Sequence, residues 1–185
     1  MAPTRPRIPG STGAVHPVTV WADPVLRTAC DTVTGFGDQL ERLVEDLFAT
    51  MYAQDGVGLA ANQIGVGLRV FVYDCPDDED VRHLGHLVNP VLVEADGVSV
   101  RGEEGCLSLP GLRAQTPRWD RALVRGQDLT GAEVEVEGTG FFARCLQHES
   151  DHLDGGVFVD RLSGLRRMRV ERSIRGADWY RGAQG

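Results

Sequence analysis

The segment TGFFARCLQHESDHLDGG, Thr139 to Gly156, constrains the fold of this chain more than any other. Thr139 is a helix-capping residue type and Gly155–Gly156 a double-glycine stop, so the residues between read as a helix. His148 and His152 stand at i and i+4, which projects both imidazoles from one face, about 5–6 Å apart at Cβ. Phe141, Cys145 and Leu146 upstream and Leu153 downstream predict that this face points inward. Other elements must therefore pack over it. Buried paired imidazoles need a partner, and a divalent metal ion supplies one. Glu149, directly after His148, points beside the pair, where it reaches a water on the metal without being a ligand. Three fixed positions in five also occur by chance, so the rest of the chain must decide.

At 185 residues the chain fits one domain able to bury its own core. With 42% hydrophobic and 25% charged residues it reads as globular. No apolar run approaches the roughly 18 residues of a membrane span, and the N-terminus lacks a signal-peptide layout, which predicts a soluble, cytoplasmic protein. A formal charge of −8 and a pI near 5.1 argue against a nucleic-acid binder that works through a basic surface and for a small, non-polyanionic substrate, and no sequence-specific nucleic-acid partner is expected. All 19 basic residues are arginine, so single arginines carry little weight. Cys30, Cys75, Cys106 and Cys145 form no CxxC pair, which disfavours a disulfide framework and an all-cysteine zinc site. Cys30, Cys75 and Cys145 read as small buried apolar side chains.

Residues 1–17, with four prolines, two glycines and no periodicity, read as a flexible or loosely draped arm. Leu40, Leu43, Val44, Leu47, Phe48 and Met51 then mark an amphipathic helix, capped by Asp38 and ending near Gly56. GVGLAANQIG reads as a glycine-punctuated loop leading into a strand over 68–74. Further strands are expected over 86–94, 97–101, 122–128 and 133–137, the last two joined by the hairpin turn DLTGAE. A third helix is expected from after Ser163 to about Arg175, and 176–185 is left as a tail. Strands clustered apart from helices indicate α+β, with no repeat and no second domain.

A zinc-type site wants three protein ligands and one open position. Downstream of His152 there are only Asp154, Asp160, Glu171 and Asp178, and no histidine. Upstream lies EEGCLSLPG, with a cysteine in a glycine-rich, charge-flanked turn badly placed for core filling. A Cys106 thiolate would complete the set.

Three blocks, GVGLAANQIG at 56–65, EGCLSLPG at 104–111 and QHESDHLDG at 147–155, together resemble the peptide deformylase family in its own order. DPVLR at 23–27 and VDRL at 159–162 also look like the family, and the resemblance runs from about Val18 to Arg175. It implies a single small α+β catalytic domain over 18–175, antiparallel strands packed around the HExxH helix, and removal of the formyl group from N-formylmethionyl nascent chains. It implies Cys106, His148 and His152 as ligands of one divalent metal, commonly Fe2+, with Zn2+, Ni2+ or Co2+ able to replace it. Glu149 would be the acid/base residue, with the Gln63 side chain and the Leu107 N–H stabilising the oxyanion. Gly58 would admit the substrate backbone, Gly105 would join the substrate-binding residues, and Glu104 would pair with Arg118.

Counting back along the helix from His148 puts Cys145, Arg144 and Phe141 on the metal-bearing face. With Val57 and Gly102, which the resemblance adds, they are expected to wall the pocket for the methionine side chain. Arg144 would lay its methylenes along that wall and carry its guanidinium to solvent. Ser150 and Arg144 depart from the family's commonest residues. The arginines of the third helix, Arg166, Arg167, Arg169, Arg172 and Arg175, read first as a solvated face, and the family implies ribosome docking through this region. Two other functions are open: a catalytically idle nascent-chain or ribosome binder, and a zinc endopeptidase indifferent to Cys106.

Overall fold

The structure, a computed structural model, describes residues 8–182. A five-stranded antiparallel sheet runs in the order β1 (Gly58–Ala60), β2 (Val70–Pro76), β3 (Arg82–Gly105), β4 (Arg113–Gln127) and β5 (Glu133–Thr139). Four helices accompany it: α1 (Asp38–Ala53), α2 (Gly140–Leu153), α3 (Gly164–Gly176) and the short α4 (Asp178–Gly182). This is the α+β arrangement expected.

β2 explains why its sequence, VFVY, is apolar without alternation. Side chains of a strand point to opposite faces in turn. Phe71, Tyr73 and Cys75 pack with Phe142, Cys145 and Leu146 of α2, while Val70 and Val72 pack with Leu40, Val44, Leu47 and Met51 of α1. Both faces are buried, as a doubly covered strand requires. A third cluster gathers Leu109, Phe158, Leu162 and Ile174, with Cys106, Trp21, Trp179 and Tyr180 packed against it.

Several expected boundaries move, each for a physical reason. The strands expected over 86–94 and 97–101 are one strand, β3, whose register against β4 shifts at three places. Bulges interrupt the alternation that marks a strand. β4 begins at Arg113 and not near 122, because Arg113–Arg121 is polar and contains Pro117. Proline is tolerated there because β5 pairs only with Arg121–Gln127, leaving the first half of β4 a strand neighbour on one side alone. On the open side Gln147 takes the place of a strand: its Oε1 accepts the Trp119 N–H at 3.2 Å and its Nε2 donates to the Trp119 carbonyl at 2.8 Å. Within the expected loop 56–65, Gly58–Ala60 pairs with Phe71–Tyr73 as β1.

Asp38 is the first residue of α1 and not its cap, which is Gly37. Thr139 precedes α2 but makes no capping bond. Asp78, from the β2–β3 turn, accepts the Phe141 N–H instead, at 3.2 Å. The described part of the N-terminal arm lies along α1, with Ala14 N–H on Asp46 at 2.7 Å and His16 N–H on Thr50 at 3.0 Å. Residues 1–7 lie outside the described part. α4 falls within the expected tail, and its Trp179 Nε1 donates to the Pro110 carbonyl at 3.2 Å. No helix among the described residues is long and apolar enough to cross a membrane.

Candidate metal centre

α2 is buried from Phe142 to Leu153, because the sheet covers one side and the 57–63 and 106–109 segments cover the end bearing the histidines. His148 is 9% exposed and His152 fully buried. Their Nε2 atoms lie 3.2 Å apart, and Cys106 Sγ stands 3.1 Å from His152 Nε2. Ligand atoms from these three residues fall within 4.8 Å of one another, and they form the one such group among the described residues. Two imidazole nitrogens and one thiol sulfur fit a divalent metal of the iron-to-zinc series and leave a coordination position open. The His152 Nδ1 and the Glu149 Oε2 are buried with no partner among the described residues, which leaves polar capacity open here.

The outer groups fix the inner ones. His148 Nδ1 meets Glu104 Oε1 at 2.6 Å, which leaves its Nε2 lone pair for a metal. Arg118 grips Glu104 with two bonds of 2.6 and 3.1 Å and reaches Asp151 at 2.6 Å. Arg161 closes on the same Asp151. Burial would raise the Glu104 carboxyl, but His148 and Arg118 hold it well below the usual carboxylate range. Burial would likewise lower His148, yet its bonds to Cys106 and Glu104 hold it well above an ordinary histidine. His152 is pushed well below, above all by burial, with His148 and Arg118 adding to it. Glu149, 4% exposed, is raised from 4.5 to about 7, above all by burial.

A cavity of about 460 Å³ opens onto Cys106, His148 and Glu149, with His152 buried behind them. Of the residues expected to bind substrate, Val57, Gly58, Gly105, Phe141, Arg144 and Cys145 line it, together with Gln63 and Leu107. Val57 and Phe141, 40% and 41% exposed, sit at its mouth. Gly58 is a true close approach: a Cβ there would lie 2.5 Å from Glu149 Oε1 and 2.9 Å from Cys145 Sγ. The Cys145 thiol is raised well above its ordinary value by a hydrogen bond to Cys75 and by burial, which leaves it an unreactive wall.

Gln63 is buried. Its Oε1 accepts the Ala60 N–H at 2.9 Å, and its Nε2 reaches Ser108 Oγ at 3.2 Å and Cys106 Sγ at 3.5 Å. The Leu107 N–H has no acceptor among the described residues.

Two expectations fail. Arg144 does not send its guanidinium to solvent: it is 9% exposed and donates to Glu104 Oε2 at 2.9 Å, the Thr116 carbonyl at 2.9 Å and the Val100 carbonyl at 3.0 Å. Three acceptors, two of them buried, outweigh the gain from hydrating the charge. Gly102 is not in the cavity wall; it lies beneath that guanidinium. Sequence reasoning also missed Ser108, Asp151, Arg161 and Asn62, whose Nδ2 donates to the His152 carbonyl at 2.6 Å. Asp151, Asn62 and Ser108 stood inside the quoted motifs but were assigned no role.

Residues 15–168 match the family model described as Polypeptide deformylase. Peptide deformylase 2 of Streptomyces avermitilis is 67% identical over 174 residues, covering 94% of this chain and 94% of that protein. The crystal structure of peptide deformylase from Thermus thermophilus aligns with a TM-score of 0.82 and 39% identity, covering 92% of this chain and 99% of that one. That of Ehrlichia chaffeensis in complex with actinonin aligns with a TM-score of 0.81 and 33% identity, covering 89% and 98%. Identity over nearly the whole length and a shared backbone course lead to one conclusion: this chain belongs to the polypeptide deformylase family.

Proposed function

We propose that the chain is a metal-dependent hydrolase that removes the formyl group from N-formylmethionyl peptides, releasing formate and a free N-terminal methionine. The observation that carries this reading is the meeting of Cys106, His148 and His152 beside an unpartnered, buried Glu149 on the floor of a cavity. Cys106, His148 and His152 would hold the cation, with ferrous iron the form in the cell. Such a cation, when bound, acidifies water and polarises a carbonyl.

The protein's own residues supply the rest. Glu149, raised to about 7, is poised near neutral pH to take a proton from the attacking water and pass it to the departing amine nitrogen. Negative charge grows on the formyl oxygen as the water adds. The Leu107 N–H, which has no acceptor among the described residues, is a ready donor to it. Gln63 Nε2 would join by releasing its long bond to Cys106. The methionine side chain would enter between Val57, Gly58, Phe141 and Cys145, and Gly105 would lie along the substrate backbone. The catalytic unit spans 18–175, in the cytosol. The exposed Arg166, Arg169, Arg172 and Arg175 of α3 give an acidic protein one local cationic face suited to docking on ribosomal RNA.

The test is formate release from a formyl-Met dipeptide by metal-loaded protein, with Glu149→Gln alongside. Turnover should fall by about 10²–10⁴ in the variant with metal content retained. Cleavage of unformylated peptides without formate release would refute the reading.

A further inference from the structure

We infer that Arg144, seated on Gly102, is a positioning residue of the metal centre: it fixes Glu104 and, through Glu104, the His148 ring. The inference rests on reading Cys106, His148 and His152 as ligands.

The hydrogen-bond inventory of Glu104 is the first support. Oε1 accepts from Arg118 and His148, each at 2.6 Å, and Oε2 accepts from Arg118 at 3.1 Å and Arg144 at 2.9 Å. A carboxylate offers about four acceptor sites, and all are filled. Arg144 fills the last. No other donor among the described residues reaches it.

Connectivity is the second. Arg144 and His148 stand one turn apart on α2, while Glu104 comes from β3. The chain Arg144–Glu104–His148 therefore starts and ends on one helix, with the carboxylate clamped between. Arg118, from β4, reaches α2 only beyond His148, at Asp151, whereas Arg144 holds Glu104 to the turn before it, so the carboxylate is tied to the helix on both sides of the ligand. Arg144 also donates to the carbonyls of Val100 on β3 and Thr116 on β4, so one side chain ties both strands of the hairpin to α2.

The seat itself is the third. A Cβ on Gly102 would fall 2.8 Å from Arg144 Nη2 and 3.0 Å from Cζ, so the guanidinium rests directly against the glycine. Any side chain at 102 would push it off its acceptors. Charge balance agrees: the buried pair Arg144 and Arg118 faces the buried pair Glu104 and Asp151, with the half-exposed Arg161 beyond. Lysine would not replace Arg144, because a single ammonium cannot present a planar fork to three acceptors.

The experiment follows release of Co2+ to a chelator, and the visible spectrum of the Co2+-loaded protein, for wild type and for R144M, R144K and G102A. No substrate is needed, so the result stands apart from whether the chain deformylates anything. Loss of such an outer partner typically costs about 10–100-fold in metal affinity or activity. R144M and G102A should release cobalt about 10-fold faster or more, with an altered spectrum, and R144K should fall between. With formyl-Met peptides the loss should appear mainly in kcat. Wild-type release and spectrum in R144M, with any loss confined to KM, would make Arg144 a pocket wall only and overturn the inference. Should R144M fail to fold, wild-type release in both G102A and R144K overturns it equally.

Discussion

Replacing Glu149 by glutamine in the metal-free protein should make it more stable, and the advantage should grow with pH. In the unfolded chain this carboxyl titrates near 4.5, and in the folded protein near 7, because burial penalises its charge. Below pH 4.5 both states hold the proton and the group contributes nothing. Between 4.5 and 7 the unfolded chain gives up its proton first, so folding loses stability as pH rises. Above 7 the loss is complete. Each pH unit of separation is worth about 1.4 kcal/mol, so the full penalty is about 3 kcal/mol. Glu149 is 4% exposed, so solvent screening does little to reduce it. Glutamine keeps the shape and carries no charge. Its own unsatisfied amide shifts the comparison by an amount that does not vary with pH. Urea unfolding of chelator-treated wild type and variant from pH 5 to 8.5 should therefore show their difference widening by roughly 2–3 kcal/mol. Parallel pH profiles would refute the argument. Loading with Ni2+ should shrink the widening, since a nearby cation favours the ionised carboxylate.

Cys106→Ala should lower bound metal and abolish formate release; full metal occupancy with normal turnover would remove Cys106 from the ligand set. Gln63→Leu should keep metal while reducing kcat by about 10²–10³, the usual cost of one oxyanion donor. An unchanged kcat would leave the task to the Leu107 amide alone. Gly58→Ala should depress turnover with little change in urea midpoint, since its methyl would meet the Glu149 carboxylate and the Cys145 sulfur. Wild-type kcat in that variant would show that the β1 backbone moves aside.

The ligand geometry on α2 was legible because it is local: i and i+4 fix two imidazoles on one face whatever the fold. Cys106 was legible only by elimination and resemblance, since its neighbour in space lies 46 residues away. Arg144 was misread for a related reason. Its position on the helix was right, but its acceptors come from strands over Val100–Glu104 and Thr116, and the polar stretch 113–121 carries no strand pattern. With that half of the hairpin unseen, solvent was the only partner in view. Ser108 and Asn62 escaped because a small polar side chain in a loop means nothing until its buried partner is known. β3 was split in two because its bulges break the alternation on which strand reading depends.

Gln147 lends the sheet a temporary border. An open strand edge invites pairing with another polypeptide, and sheets are usually protected by charge, proline or a covering segment. Here Pro117 blocks one position and the amide of Gln147 blocks the next, at Trp119. That amide belongs to the residue immediately before His148, a proposed metal ligand, so the seal is only as firm as the helix turn that bears it. Stripping the metal should therefore do more than stop catalysis: it should loosen that turn, bare the edge of β4 beside the exposed Trp119 ring, and make self-association the first visible sign of metal loss, detectable by light scattering before the protein unfolds.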